Sequence, residues 1–181
     1  MGREWHVRER KPSEDLLIAS DRPILAGTTY SQPHQKAALR CVGAAAMRYV
    51  AAASPAFVAR HFAGDVGAGG LAQAPSLVFN TKDELQARWV RRLCHRHVDL
   101  PRHTLPSPQA FVTAAVAGMG WGMQLHALIT SHLQDGSLVE LVPDTPLYVP
   151  LYWQHARAAS ALLDGLSRRV VTAAGRALRP L

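Results

Sequence analysis

A chain of 181 residues, 48% apolar and 18% charged, can fill the core of one ordinary domain or two small lobes and should be globular. Its formal charge of +7 suits a polyanionic partner only if the basic residues gather on one surface, so charge alone decides nothing. Cys41 and Cys94 form no CxxC pair and are too few for a disulfide framework; the longest apolar run, residues 42–59, is interrupted by Arg48 and Pro55 and makes a poor membrane span.

Residues 1–10, MGREWHVRER, carry charge where a secretory signal has its apolar core, which argues for the cytosol. Trp5 and Val7 alternate with His6 and Arg8 as in a short strand, and Pro12 and Ser13 open a helix with Glu14 and Asp15 in its first turn. Residues 24–30 read as a strand, and 39–42 and 47–52 as two more. Ser54 followed by Pro55 is an N-cap with proline at the first helical position, so PAFVARHF should be helical. A glycine-rich loop at 64–70 precedes a buried strand at 76–79. From Asp83 to His97, Leu85, Trp89 and Leu93 recur every fourth residue while Arg88, Arg91, Arg92, His95 and Arg96 share another face, the pattern of an amphipathic helix. Ser107 and Pro108 repeat the cap signature, and Gly118 stands where that next helix should stop in a left-handed cap.

Gly118, Gly120 and Gly122, in AGMGWGMQL, resemble a phosphate-cradling loop at first sight. A dinucleotide fingerprint, however, runs strand, glycines, helix, so that the helix N-terminus faces the pyrophosphate. Here the helix comes first, and the glycines instead open a strand containing Trp121 and Met123 in which a backbone or ligand can approach closely. A short helix, a turn at QDGS, and strands at 138–142 and 147–154 follow. The last helix carries Leu162, Leu166 and Val170 opposite Asp164, Arg168 and Arg176, which predicts that the leucine row packs on a sheet. Repeated βα alternation predicts a mostly parallel sheet with helices on its faces.

The stretch CHRHVDLPRH gathers Cys94, His95, His97 and His103, but only Cys94 and His97 share a helix face and no second cluster completes four ligands, so no metal is expected. The basic helix QARWVRRLCHRH is the best nucleic-acid candidate, yet without stacking aromatics it reads as a solvated face. GxSxG, P-loop, HExxH and CxxC patterns are all missing, so an enzyme is not supported and no cofactor is expected. The helix starts at Ser54 and Ser107 offer backbone N–H groups to a carboxylate, although routine capping explains either one.

Four segments together, MRYVAAASPAFVARHF, APSLVFNTKDELQ, PSPQAFVTAAVAGMGWGM and PLYVPLYWQ, resemble the effector-binding region of LysR-type transcriptional regulators. Within that family they are most similar to the ArgP/LysG-like branch, which senses lysine or arginine and controls basic amino-acid export. The resemblance runs from about Trp5 to the C-terminus. It implies an α/β fold of two lobes of the type II periplasmic-binding-protein kind, with crossing strands near residues 50–54 and 146–151 and the effector in the cleft. Residues 1–54 would then begin lobe I, 55–146 form lobe II, and 147–181 close lobe I.

The chain departs from the family in three ways. The winged helix-turn-helix and linker helix do not fit before Trp5, so DNA would be reached only through a segment missing here, and the resemblance starts inside lobe I. A truncated or mis-started regulator is therefore expected, acting as a homo-oligomer or paired with an intact regulator, with a non-sensing fragment as the alternative. At RERKPSED, Arg8, Arg10 and Lys11 are basic where the branch is acidic, leaving Glu9 and Asp83 as partners for a cationic effector. Leu125 stands where the family usually has proline, so the loop leaving Met123 should differ. The resemblance and the helix-start argument together select Asn80, Thr81, Asp83, Ser107 and Gln109 as effector contacts, with Trp121 and Met123 on the strand beside the pocket and no membrane involved.

Overall fold

The computed structural model describes residues 26–29, 39–62, 64–157 and 160–179. The strand expected at Trp5 and Val7, the helix after Pro12, and Glu9 lie outside these residues. In chain order the elements are β1 (Ala26–Thr29), β2 (Leu39–Ala53), α1 (Pro55–His61), α2 (Ala68–Leu71), β3 (Ser76–Val78), α3 (Leu85–Cys94), β4 (Arg102–Thr104), α4 (Pro108–Val116), β5 (Gly122–Leu125), α5 (His126–Gln134), β6 (Val139–Glu140), β7 (Leu147–Ala156) and α6 (Ser160–Ala177). They form two compact units, residues 48–148 and the described residues on either side, with the boundary falling inside β2 and inside β7.

In the 48–148 unit, β2 pairs antiparallel with β5, Val50 opposite Gln124 and Ala52 opposite Gly122, and also with β6 through Ala52 and Ala53. Alternation along β2 divides the core: Ala51 and Ala53 face a cluster with Phe57, Leu71, Trp89, Trp121 and Met123, while Val50 and Ala52 face one with Leu77, Phe111, Ile129 and Leu138. β3 pairs parallel with β4, and Trp121 makes a parallel bridge to Ser76, with Leu77 N donating to Trp121 O at 2.6 Å and Trp121 N to Pro75 O at 3.1 Å. In the other unit β1 runs antiparallel to β7, Thr28 opposite Trp153.

The expectation of a mostly parallel sheet is corrected here. Among the described strands β1–β7, β2–β5 and β2–β6 are antiparallel, while β3 runs parallel to β4 and bridges in parallel to the start of β5. A βα alternation fixes direction only where a crossover helix joins neighbouring strands, as α3 joins β3 to β4. β1 and β7, or β2 and β5, meet from distant parts of the chain, and no local pattern encodes their direction.

Three local expectations also change. Residues 39–42 and 47–52 belong to one strand, because the Gly-Ala-Ala-Ala stretch between them continues β2; Ala44, Ala45 and Ala46 are buried, and Ala46 N donates to Arg179 O at 2.7 Å. Weak strand propensity yields there to packing. The helix expected to reach His97 ends at Cys94, because His95 takes a left-handed conformation with φ 53°. On α6 the buried positions are Leu163 and Ser167, whereas Leu162 and Leu166 are 67% and 47% exposed. Trp153 Nε1 donates to Ser167 Oγ at 2.9 Å, and that buried polar contact turns α6 one row away from the face that its leucines suggest.

Both proline-led helices form with their serine caps: Ser54 Oγ accepts from Phe57 N and Ser107 Oγ from Ala110 N, each at 3.4 Å. The glycine series is structural. Gly118 ends α4 at φ +73°; a Cβ at Gly120 would stand 2.8 Å from Pro75 O, and one at Gly122 would stand 2.7 Å from the Phe111 ring. The approaching partners are β3 and α4.

Gly120→Ala should therefore destabilise the protein by about 1–3 kcal/mol, read as a lower urea midpoint with unchanged slope, because the obstructing Pro75 carbonyl is main chain. Ser167→Ala should cost a similar amount, about 1–3 kcal/mol, by leaving the buried Trp153 indole N–H without its acceptor.

Candidate functional site

The register of β3 against β4, Val78 opposite Thr104, brings the C-terminal ends of both strands to one edge, and Leu105 N donating to Val78 O at 2.9 Å carries the pairing one step further. Two connections leave from that edge. Residues 79–84 lead from β3 into α3, and residues 105–107 lead from β4 into α4. Edges at the C-terminal ends of parallel strands are where α/β folds usually bind ligands, because helix N-termini and loops converge there.

The first connection is organised by Asp83. Its Oδ2 accepts from Phe79 N at 2.9 Å and from Gln86 Nε2 at 3.4 Å, and its Oδ1 accepts from Leu85 N at 3.2 Å. Asp83 N in turn donates to Asn80 O at 3.1 Å, and Asn80 Oδ1 accepts from Lys82 N at 2.8 Å, closing a tight turn. Gln86, buried beneath, donates from Nε2 to Leu77 O at 2.6 Å and ties the helix back to β3. Thr81 is exposed at the top of the turn and Asn80 is half-buried. The Asp83 carboxylate thus spends most of its accepting capacity on the chain itself.

The second connection ends in the α4 cap. With Ser107 Oγ bonded to Ala110 N and proline at position 108, the exposed Gln109 contributes a first-turn N–H that has no acceptor within the helix. Asn80, Thr81 and Asp83 therefore share an edge with Ser107 and Gln109. Trp121 and Met123 lie in the interior of the same unit, 0% and 3% exposed, with the Trp121 ring 5.4 Å from that of Trp89. Their side chains belong to the core under this edge.

Sequence reasoning missed the ties at the far end of α3. Trp89 Nε1 donates to Thr145 O and Thr145 Oγ1, both at 3.1 Å, and Arg92 Nη1 donates to Pro146 O at 3.2 Å. More than fifty residues separate these partners, so no local pattern carries the signal. As for metal-ligand types, His95 and His97 are exposed, His97 stands 3.8 Å from Asp99, and among the described residues no group of three His, Cys, Asp or Glu side chains is placed to hold an ion. Burial pushes the Cys94 thiol pKa up, while the charge of Arg96 opposes that shift. No helix among the described residues is long and apolar enough to cross a membrane.

Comparison with known proteins gives this arrangement a family. Residues 26–174 match the LysR substrate binding domain. The chain is 40% identical over 167 residues to the HTH-type transcriptional regulator ArgP of Pseudomonas fluorescens (strain Pf0-1), an alignment covering 91% of this chain and 51% of that protein. The chain spans about half the length of the curated relatives it matches. In structure it is similar to the C-terminal domains of a LysR family protein from Agrobacterium tumefaciens, with a TM-score of 0.82 and 46% identity over 87% of this chain and 76% of that one. It is also similar to full-length LysG from Corynebacterium glutamicum with bound effector Arg, with a TM-score of 0.70 and 29% identity over 87% of this chain and 52% of that one. Its fold is the two-lobed, periplasmic-binding-protein-like α/β fold of LysR effector-binding domains, and the chain belongs to the LysR substrate-binding-domain family.

Proposed function

We propose that this chain is the sensing module of a cytoplasmic transcription regulator, that its effector is a basic amino acid, arginine or lysine, and that the regulated genes include those for amino-acid export. The observation that carries the reading is the shared edge: the α4 N-terminus and the Asn80–Asp83 turn leave adjacent parallel strands side by side. The LysG structure that holds arginine as its effector supports the choice of ligand.

The chemistry assigns parts of an amino acid to parts of this edge. The effector carboxylate meets the positive end of α4, where the Gln109 N–H and the Ser107 hydroxyl can donate. The Thr81 hydroxyl and the Asn80 side chain flank the α-amino group. Asp83 holds the turn in shape and supplies negative potential toward the cationic group. Trp121 and Met123 act from beneath by keeping β5 and β3 rigid. No bond is made or broken: binding shifts the populations of two conformations, and in a complete, oligomeric regulator that shift changes how a separate DNA-binding segment engages its operator.

Thermal unfolding of the purified chain with arginine, lysine and agmatine tests this directly. Ligand at a hundred times its Kd adds about 2.7 kcal/mol, or roughly 5 to 10 °C in midpoint for a domain of this size. Arginine or lysine should produce such a shift and agmatine, which lacks the carboxylate, should not. Ser107→Asp keeps the helix cap but sets a negative charge where the effector carboxylate belongs. It should retain the midpoint of the free protein and weaken arginine binding at least about tenfold. An arginine response unchanged by that substitution contradicts the assignment.

A further inference from the structure

The structure carries a second, separate feature on α3. Arg88, Arg91 and Arg92 stand at i, i+3 and i+4, so their guanidinium groups emerge on one side of the helix. With Leu147 and Tyr148 they line a shallow, open depression of about 560 Å³. Arg92 reaches across to Pro146 O, fixing one side of the depression against the other. Arg88 and Arg91 are exposed, and among the described residues no carboxylate pairs with either.

Ordinary helix chemistry accounts for part of this arrangement. Cations in a last turn are favoured by the helix dipole, which covers Arg91 and Arg92. Arg88 stands a turn further in, beyond that benefit, and adds like-charge repulsion with both neighbours. A cluster that repels itself, faces a concave surface and lacks an acidic partner is suited to an anion from outside. Guanidinium forks match tetrahedral oxyanions through paired N–H groups, and more than one fork favours a group with more than one negative charge. The ring of Tyr148, 38% exposed, supplies an apolar surface for an organic body beside the buried Leu147.

We propose that Arg88, Arg91 and Arg92, with Leu147 and Tyr148, form a binding site for a small phosphorylated organic molecule. It is distinct from the edge at Asn80–Asp83 and Ser107–Gln109 and independent of what binds there. Arg88 and Arg91 hold the phosphoryl oxygens, Arg92 fixes the depression, and the Tyr148 ring packs on the organic part.

Calorimetric titration of the whole chain with phenyl phosphate at low salt tests it, with the double variant Arg88→Gln, Arg91→Gln as the comparison. Both positions are exposed, so the variant should unfold at the same temperature and keep its response to arginine. One phenyl phosphate should bind per chain, with affinity at least about tenfold lower in the variant, as expected for lost charge-assisted hydrogen bonds. Inorganic phosphate should bind more weakly than phenyl phosphate, because only the latter can pack on the Tyr148 ring, and equal affinity for the two overturns the assignment to an organic phosphate. No heat with phenyl phosphate, or equal affinity in wild type and variant, overturns the proposal. So does displacement of phenyl phosphate by a random-sequence DNA duplex whose own binding depends on the same two arginines, since that makes the face a reader of nucleic-acid backbone.

Discussion

The two hydrogen bonds between β3 and the start of β5, Leu77 N to Trp121 O and Trp121 N to Pro75 O, are the constraint from which the rest of the 48–148 unit follows. They require the main chain around residues 120–122 to lie against β3 and the Phe111 ring more closely than any side chain allows, and Gly120 and Gly122 meet that requirement. With β3 seated there, Leu77 enters one core cluster and Trp121 the other. β4 then adds in parallel on β3, and both strands end at the same edge. The glycines that look like a nucleotide loop are thus what places the candidate ligand edge.

α3 links that edge to the far side of the unit. Its entry is held by Asp83 and Gln86, which bond to residues 77, 79 and 85, and its later turns are held by Trp89 and Arg92, which bond to residues 145 and 146 just before β7. The same short helix is thus tied to β3 at its entry and to residues 145–146 at its later turns. The same helix carries the arginine face on its outer side. Residues 80–92 therefore border both proposed sites.

What could be read from the sequence was what local chemistry determines. Ser54-Pro55 and Ser107-Pro108 predicted both helix starts, because a capping hydroxyl and a proline act within one turn. Gly118 predicted a helix end, because a left-handed residue there strongly favours glycine. Strand direction was misread, since β1 meets β7 and β2 meets β5 across seventy residues or more. The α6 face was misread for a different reason: apolar periodicity weighs Leu162 and Leu166 and ignores Ser167, which is buried because the Trp153 indole needs an acceptor. Of the candidate site, the Ser107-Pro108 cap signature suggested where a carboxylate could be met, while the commitment of Asp83 to its own loop was visible only in three dimensions.

A ¹⁵N–¹H correlation spectrum recorded as arginine is titrated into the labelled chain would show whether the β3 and β4 exits act as one effector edge. The amide signals of Thr81 and Gln109 should move together and saturate along a single binding curve. Arginine binding that leaves both amides unmoved, or moves one without the other, would contradict a shared edge.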